Sequence, residues 1–211
     1  MNALLPADAM EQLAQAAAWR LLAHLFTRPR DGFAPEAEAL AREVRDPVLR
    51  EGAELARGAE EGPYHALLGP GGRASAREVA YRGFLDPGRL LSELAGLYEA
   101  FGFAPRSEEP DDHLSVEADF VAYLLVKEIH ARAGGRDDAA EITRDARNCF
   151  LAEHVAILAK GFAAKLEGGP RYLELAARAL ARRVEGIPIA EPTSRPPETD
   201  PLECGCPLVQ E

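Results

Sequence analysis

Asp111, Asp112, His113 and Glu117 come nearest to a catalytic constellation in this chain. Two carboxylates beside an imidazole, with another carboxylate one helical turn on, could exchange protons or hold a metal through oxygen and nitrogen ligands. His113 and Glu117 are four residues apart and would be neighbours on a helix. His154, in the pair Glu153-His154, could converge on them. Fewer than three ligands can be named, so a metal-dependent hydrolase is the least supported reading. Cys204-Gly205-Cys206 is a second candidate, for a soft metal or a redox partner, but it offers two ligands and no second Cys/His pair. Cys149 falls in a helical pattern and reads as a small core residue. Three cysteines make no secreted disulfide framework.

Other chemistry is missing. There is no nucleophile elbow, P-loop, dinucleotide fingerprint or H-E-x-x-H helix. Gly69-Pro70-Gly71-Gly72 has no strand before it and no Lys-Ser/Thr after it, and reads as a mobile connection. A formal charge of −11 argues against nucleic acid and suits a basic partner. From Glu108 to Glu128 there are seven acids against Lys127 alone, beside Tyr98, Phe101 and Phe103. That combination suits a ligand both basic and apolar, because guanidinium pairs bidentately with carboxylate and an apolar stretch needs a groove between helices.

The elements that must position these residues are helices. Alanine and leucine dominate over β-branched residues, and 47% hydrophobic content supports one sizeable core. No apolar run approaches a membrane span, and Met1 to Met10 has neither a basic region nor a signal-like apolar run, so no stable membrane insertion and a cytoplasmic address are expected. Pro110 stops what precedes it, and Asp111 or Asp112 is expected to cap the next helix. Leu114, Ala118, Val121, Leu125 and Ile129 then give that helix one apolar face, to about Arg132.

The spacing predicts a first helix from about Ala9 to Phe26, opened by the capping box Asp8 to Glu11, with His24 as a buried, hydrogen-bonded histidine. Pro35 would start a short second helix. Asp46-Pro47 and Asp86-Pro87 would start two more, the first ended by Gly62-Pro63 and the second by Gly102 in a left-handed stop. One or two turns would span Tyr64 to Leu68. Asp138 to Glu141 is a further capping box, opening a segment to Leu166 that could split near Glu153-His154. Pro170 would start the last helix. Residues 1–186 are thus expected to form a single compact all-α domain of about seven to nine helices. Residues 187–211, with six prolines and no apolar periodicity, are expected to be a flexible tail. Gly69 to Gly72 and Gly134-Gly135 could act as hinges for exchanging helices in a homodimer.

Glu109-Pro110-Asp111-Asp112-His113-Leu114, Glu117 and Phe120 to Leu124 resemble the E-P-x-D-H signature region of the TorD/DmsD family, related to the NarJ-type nitrate reductase delta chains. His65 to Gly72 resembles that family's L-F-G-P-G segment, and Glu78 to Tyr81 its E-S-V-Y. Tyr98 to Phe103 resembles its Y-x-x-x-G-F, and Phe150 to His154 its F-L-x-E-H. Ala76-Arg77 stands where the family often has an aromatic residue, and Cys204-Gly205-Cys206 is outside the pattern. The resemblance implies an all-α fold and a non-catalytic role, not an enzyme and with no cofactor of its own: a cytoplasmic chaperone that binds the twin-arginine leader or apo form of a molybdenum-cofactor oxidoreductase catalytic subunit, assisting cofactor insertion and holding back export. The alternative is a NarJ-type assembly factor for a membrane-bound nitrate reductase or related complex. It also implies that Pro110, Asp112 and His113 belong to the peptide-binding site, with Asp111, Glu117, Tyr98, Phe101, Gly102 and Tyr123 around it.

Overall fold

A computed structural model describes residues 7–83 and 86–189. Nine α-helical stretches occur among them: α1 (Ala7–Leu25), α2 (Phe33–Ala41), α3 (Pro47–Leu55), α4 (Glu61–Leu68), α5 (Pro87–Phe101), α6 (Leu114–Ala133), α7 (Asp137–Phe150), α8 (Ala156–Lys165) and α9 (Arg171–Val184). A π-turn, Leu151–Val155, joins α7 to α8 without a break, so the expected split near His154 is a change of helical winding. Short 3₁₀ turns occupy Ala56–Gly58 and Glu78–Tyr81.

The fold is built round α6. Its apolar stripe is one part of a helix buried on nearly every side, Val116, Phe120 and Leu124 included. α1 packs antiparallel to it, as two ion pairs show: Arg20 meets Asp119 near one end and Arg132 lies 3.7 Å from Asp8 at the other. α7 covers another flank. There the buried Glu128 takes Arg132 and Arg147 at 2.5 Å and Arg144 at 3.0 Å. α3 and α8 both pack on α9.

Local chemistry sets several boundaries as expected. The Asp46 side chain accepts from the Val48 and Leu49 amides, and Asp86 from Gly88. Gly102 ends α5 at φ 67°, where a side chain would be strained. Pro170 precedes α9. His24 is half-buried and donates from Nε2 to the Phe33 carbonyl at 2.8 Å.

Other boundaries differ. Asp8 lies in the first turn of α1, and α7 opens at Asp137 with no side-chain cap. α2 begins at Phe33 behind a left-handed Gly32, which leaves Pro35 as its third residue. Gly62-Pro63 does not end a helix. It sits in the first turn of α4, where a missing proline N–H costs nothing. Gly69 to Gly72 is a closed turn, with Gly69 N–H bonded to His65 O, Gly72 to Gly69 and Ala74 back to Leu67. Cys149 is exposed on α7. Phe84, Leu85 and residues 190–211, with the C-x-C pair and most of the expected tail, lie outside the described residues. No helix among the described residues is long and apolar enough to cross a membrane.

Candidate functional site

The loop that enters α6 is stitched to the segment before Glu78–Tyr81. Arg77 and His113 form an isolated antiparallel bridge. Leu114 N–H donates to Ala76 O and Glu78 N–H to Asp112 O, each at 2.8 Å. The Asp112 side chain, expected as a cap, points inward. It takes the Arg77 guanidinium and, at 3.3 Å, the Val79 amide. Arg77, where the family often has an aromatic residue, is therefore the counter-ion of a carboxylate with no exposure.

The cap passes to His113, whose Nδ1 accepts from the Ser115 amide at 3.2 Å and lies 2.7 Å from the Ser115 hydroxyl. Nδ1 is therefore unprotonated, and Nε2 carries the proton toward Glu109, 4.0 Å away. Burial, with Arg77 nearby, pushes the His113 pKa down to about 4. His113 is therefore neutral near pH 7.

Beneath this loop lies a buried carboxylate cluster. Glu117 has no exposure, and its carboxyl lies within hydrogen-bonding reach of the Glu78 carboxylate. Burial, then Glu78 and Asp112, raise its pKa well above the usual range, so it is held protonated. Glu78 is pulled the other way by His154 and Arg82, which outweigh its burial. His154, on the π-turn, donates from Nδ1 to Glu78 at 3.1 Å and stacks on Phe150 at 4.8 Å. Tyr98 donates to the Asp111 carbonyl at 2.9 Å and packs edge-on to Phe103 and Phe120. Sequence reasoning missed Glu78 and Arg82 as members of this cluster; the E-S-V-Y-like segment was the signal that could have found them.

The structure thus separates the expected site residues into two groups. Tyr98, Asp112, His113 and Glu117 are buried and line none of the described clefts. Pro110, Asp111, Phe101, Gly102 and Tyr123 are partly or fully exposed around them. Tyr123 and Lys127 reach from α6 to cap the end of α5, donating to the Phe101 carbonyl at 2.9 and 2.7 Å. The seven acids are not an open field either, because arginines neutralise four of them and burial holds Glu117 protonated. Arg30 meets Glu108, Arg77 meets Asp112, Arg20 meets Asp119, and three arginines ring Glu128. No three His, Cys, Asp or Glu side chains come together as a metal site among the described residues.

Beside the buried cluster, an accessible cleft of about 320 Å³ lies between the C-terminal half of α1, the start of α2 and the loop 103–109. Phe33 and Phe103 supply apolar wall. Arg20, Arg28 and Arg30 border it but are paired with Asp119, Glu61 and Glu108. Among the described residues, Asp31, Glu36 and Glu109 have no arginine or lysine partner, against Arg106. Sequence reasoning missed the α1 and α2 members because nothing local ties them to a loop some eighty residues on.

Residues 30–164 match the nitrate reductase delta subunit family. The chain belongs to this family. The family match runs from the loop before α2 almost to the end of α8, so it includes the buried cluster and the 103–109 wall of the cleft but leaves out α1 and α9. A chlorate reductase assembly chaperone protein from Ideonella dechloratans is 31% identical over 160 residues, 73% of this chain and 77% of its own length. The fold is shared with the crystal structure of a proposed redox enzyme maturation protein from Archaeoglobus fulgidus. The TM-score is 0.54 at 20% identity, covering 81% of this chain and 93% of that one.

Proposed function

We propose that this delta-family chain is a cytoplasmic assembly chaperone that holds the N-terminal leader of a molybdenum-cofactor oxidoreductase catalytic subunit in the cleft between α1 and the loop 103–109. The carrying observation is the cleft's residual charge. Once its internal ion pairs are formed, Asp31, Glu36 and Glu109 remain beside Phe33 and Phe103. A leader with two arginines and an apolar stretch complements both features. Pro110 and Asp111 belong to the rim. Asp112, His113 and Glu117 act as positioning residues that hold the loop against α6, and Tyr98, Phe101, Gly102 and Tyr123 fix its base. No cofactor of the chaperone itself enters this role.

Calorimetry with a twin-arginine leader peptide tests the reading. The expected Kd is about micromolar or tighter, weakening as salt rises. Glu36→Gln with Glu109→Gln is expected to weaken binding about tenfold, from two partly exposed pairs each worth about 1 kcal/mol or less. Unchanged affinity in the folded double variant removes this cleft from the proposal. Equal affinity for an N-terminal peptide without the arginine pair favours the NarJ-type alternative, in which the client is an unexported catalytic subunit.

A further inference from the structure

α8 and α9 form a helical hairpin whose outer side carries a second groove, of about 640 Å³. Its floor is apolar and narrow-chained: Ala156, Ala159 and Ala163 from α8, Ala181 and Val184 from α9. Small side chains in two facing stripes leave space that a segment with larger apolar groups would fill. The rim is basic. Lys160, Arg178 and Arg182 are exposed, and none forms an ion pair among the described residues, while Glu185 is the one acid of the lining. A basic apolar groove is out of character in a chain of formal charge −11.

The chain itself points to the occupant. Ile187 and Ile189, the last apolar residues described, already line the groove, and Ile189 is 38% exposed at its lip. The sequence continues for residues 190–211. This segment holds Glu191, Glu198, Asp200, Glu203 and Glu211 against Arg195 alone, so its side chains carry the opposite charge to the rim. Leu202, Leu208 and Val209 offer the bulk that the alanine floor lacks. A segment tethered at the groove's edge meets it at about millimolar effective concentration, which lets weak contacts suffice.

We propose that the α8–α9 groove is a docking surface for the chain's own C-terminal segment, residues 190–211, held through its acids by Lys160, Arg178 and Arg182. The site lies apart from the α1 cleft, since the two share no lining residue.

Photo-cross-linking in the full chain tests it. With Ala163, and separately Ala181, replaced by p-benzoylphenylalanine, irradiation and digestion should join the probe to peptides of residues 190–211. The yield should not depend on protein concentration, should fall several-fold with Arg178→Glu and Arg182→Glu, and should fall with salt. Products that join isotopically light to heavy chains would assign the groove to a second copy and overturn the proposal. So would products lying wholly outside 190–211, or no product with either probe. Hydrogen exchange offers a readout that leaves the groove unmodified. Glu191→Gln, Glu198→Gln, Asp200→Asn and Glu203→Gln together should speed exchange across α9 several-fold, and unchanged protection also overturns it.

Discussion

Glu117 and Glu78 are two carboxyls of one buried cluster whose surroundings push their protons in opposite directions. Glu117, raised by burial and by Glu78, keeps its proton more tightly in the folded protein than in the unfolded chain. Its contribution to stability is therefore largest at low pH and is lost as pH rises above 4.5, the ordinary value. Glu78, lowered by His154 and Arg82, contributes above its ordinary value and loses that contribution as pH falls. His113, depressed from 6.5 to about 4, makes the unfolded state the better proton acceptor across that window, so stability falls with acid there. Glu117→Gln keeps the shape and the neutral state while removing the titration. We expect its urea midpoint to fall less steeply than the wild type's as pH rises above 4.5, and equal slopes would show that Glu117 does not titrate as described. Three of the four residues that resembled a catalytic set, Asp112, His113 and Glu117, are thus an interior device, while Asp111 stays partly exposed. Their types were legible in the sequence, but their burial was not, because an aspartate before a helix looks the same whether it caps the helix or bonds an arginine thirty-five residues away.

At the scale of elements, the 75–81 segment shows how local and non-local rules divide. Tyr81 bonds Ser75 O at 2.8 Å, carries Lys165 over its ring and lies against Gly161 of α8. A Cβ on Gly161 would come within 2.8 and 2.9 Å of the Tyr81 ring, which its hydroxyl bond anchors. Gly161→Ala would gain helix propensity of about 1 kcal/mol. Overpacking costs about 1–3 kcal/mol, so a net loss of about 1 kcal/mol is expected, read by urea unfolding. A more stable variant would show that the ring yields freely. Sequence reasoning found Glu78 to Tyr81 only by resemblance, since a 3₁₀ turn of four residues has no periodicity to read. The caps at Asp46 and Asp86 were legible because donor and acceptor are two or three residues apart. The cap at His113 was missed because Arg77 competes for Asp112.

At the scale of the molecule, charge is arranged in long-range pairs about α6. Glu128 is 1% exposed and serves three arginines from α6 and α7. Removing its charge leaves three cations facing one another without their buried anion. Glu128→Gln is expected to lower the midpoint of thermal unfolding, by about 1–2 kcal/mol in stability, because the largely buried Arg147 loses its anion while Arg132 and Arg144 are screened by solvent. A loss well below 1 kcal/mol would mean that the arginines relax into solvent. The same pairing, with the burial of Glu117, removes five of the seven acids from Glu108 to Glu128 from any surface field that their local count suggested.

The all-α class, the central helix and most helix starts followed from composition, 3.6-residue spacing and caps, all interactions within a turn or two of chain. The family was legible too, because its motifs keep their order along the sequence. Which acids are neutralised, which of the signature residues face solvent, and where the clefts open were decided by tertiary structure alone. Those outcomes depend on desolvation and on partners brought from distant elements: Arg20 and Arg30 to Asp119 and Glu108, Arg77 to Asp112, Glu78 to Glu117 and His154. Burial sets the energy of a charge, and burial belongs to the packed helices together.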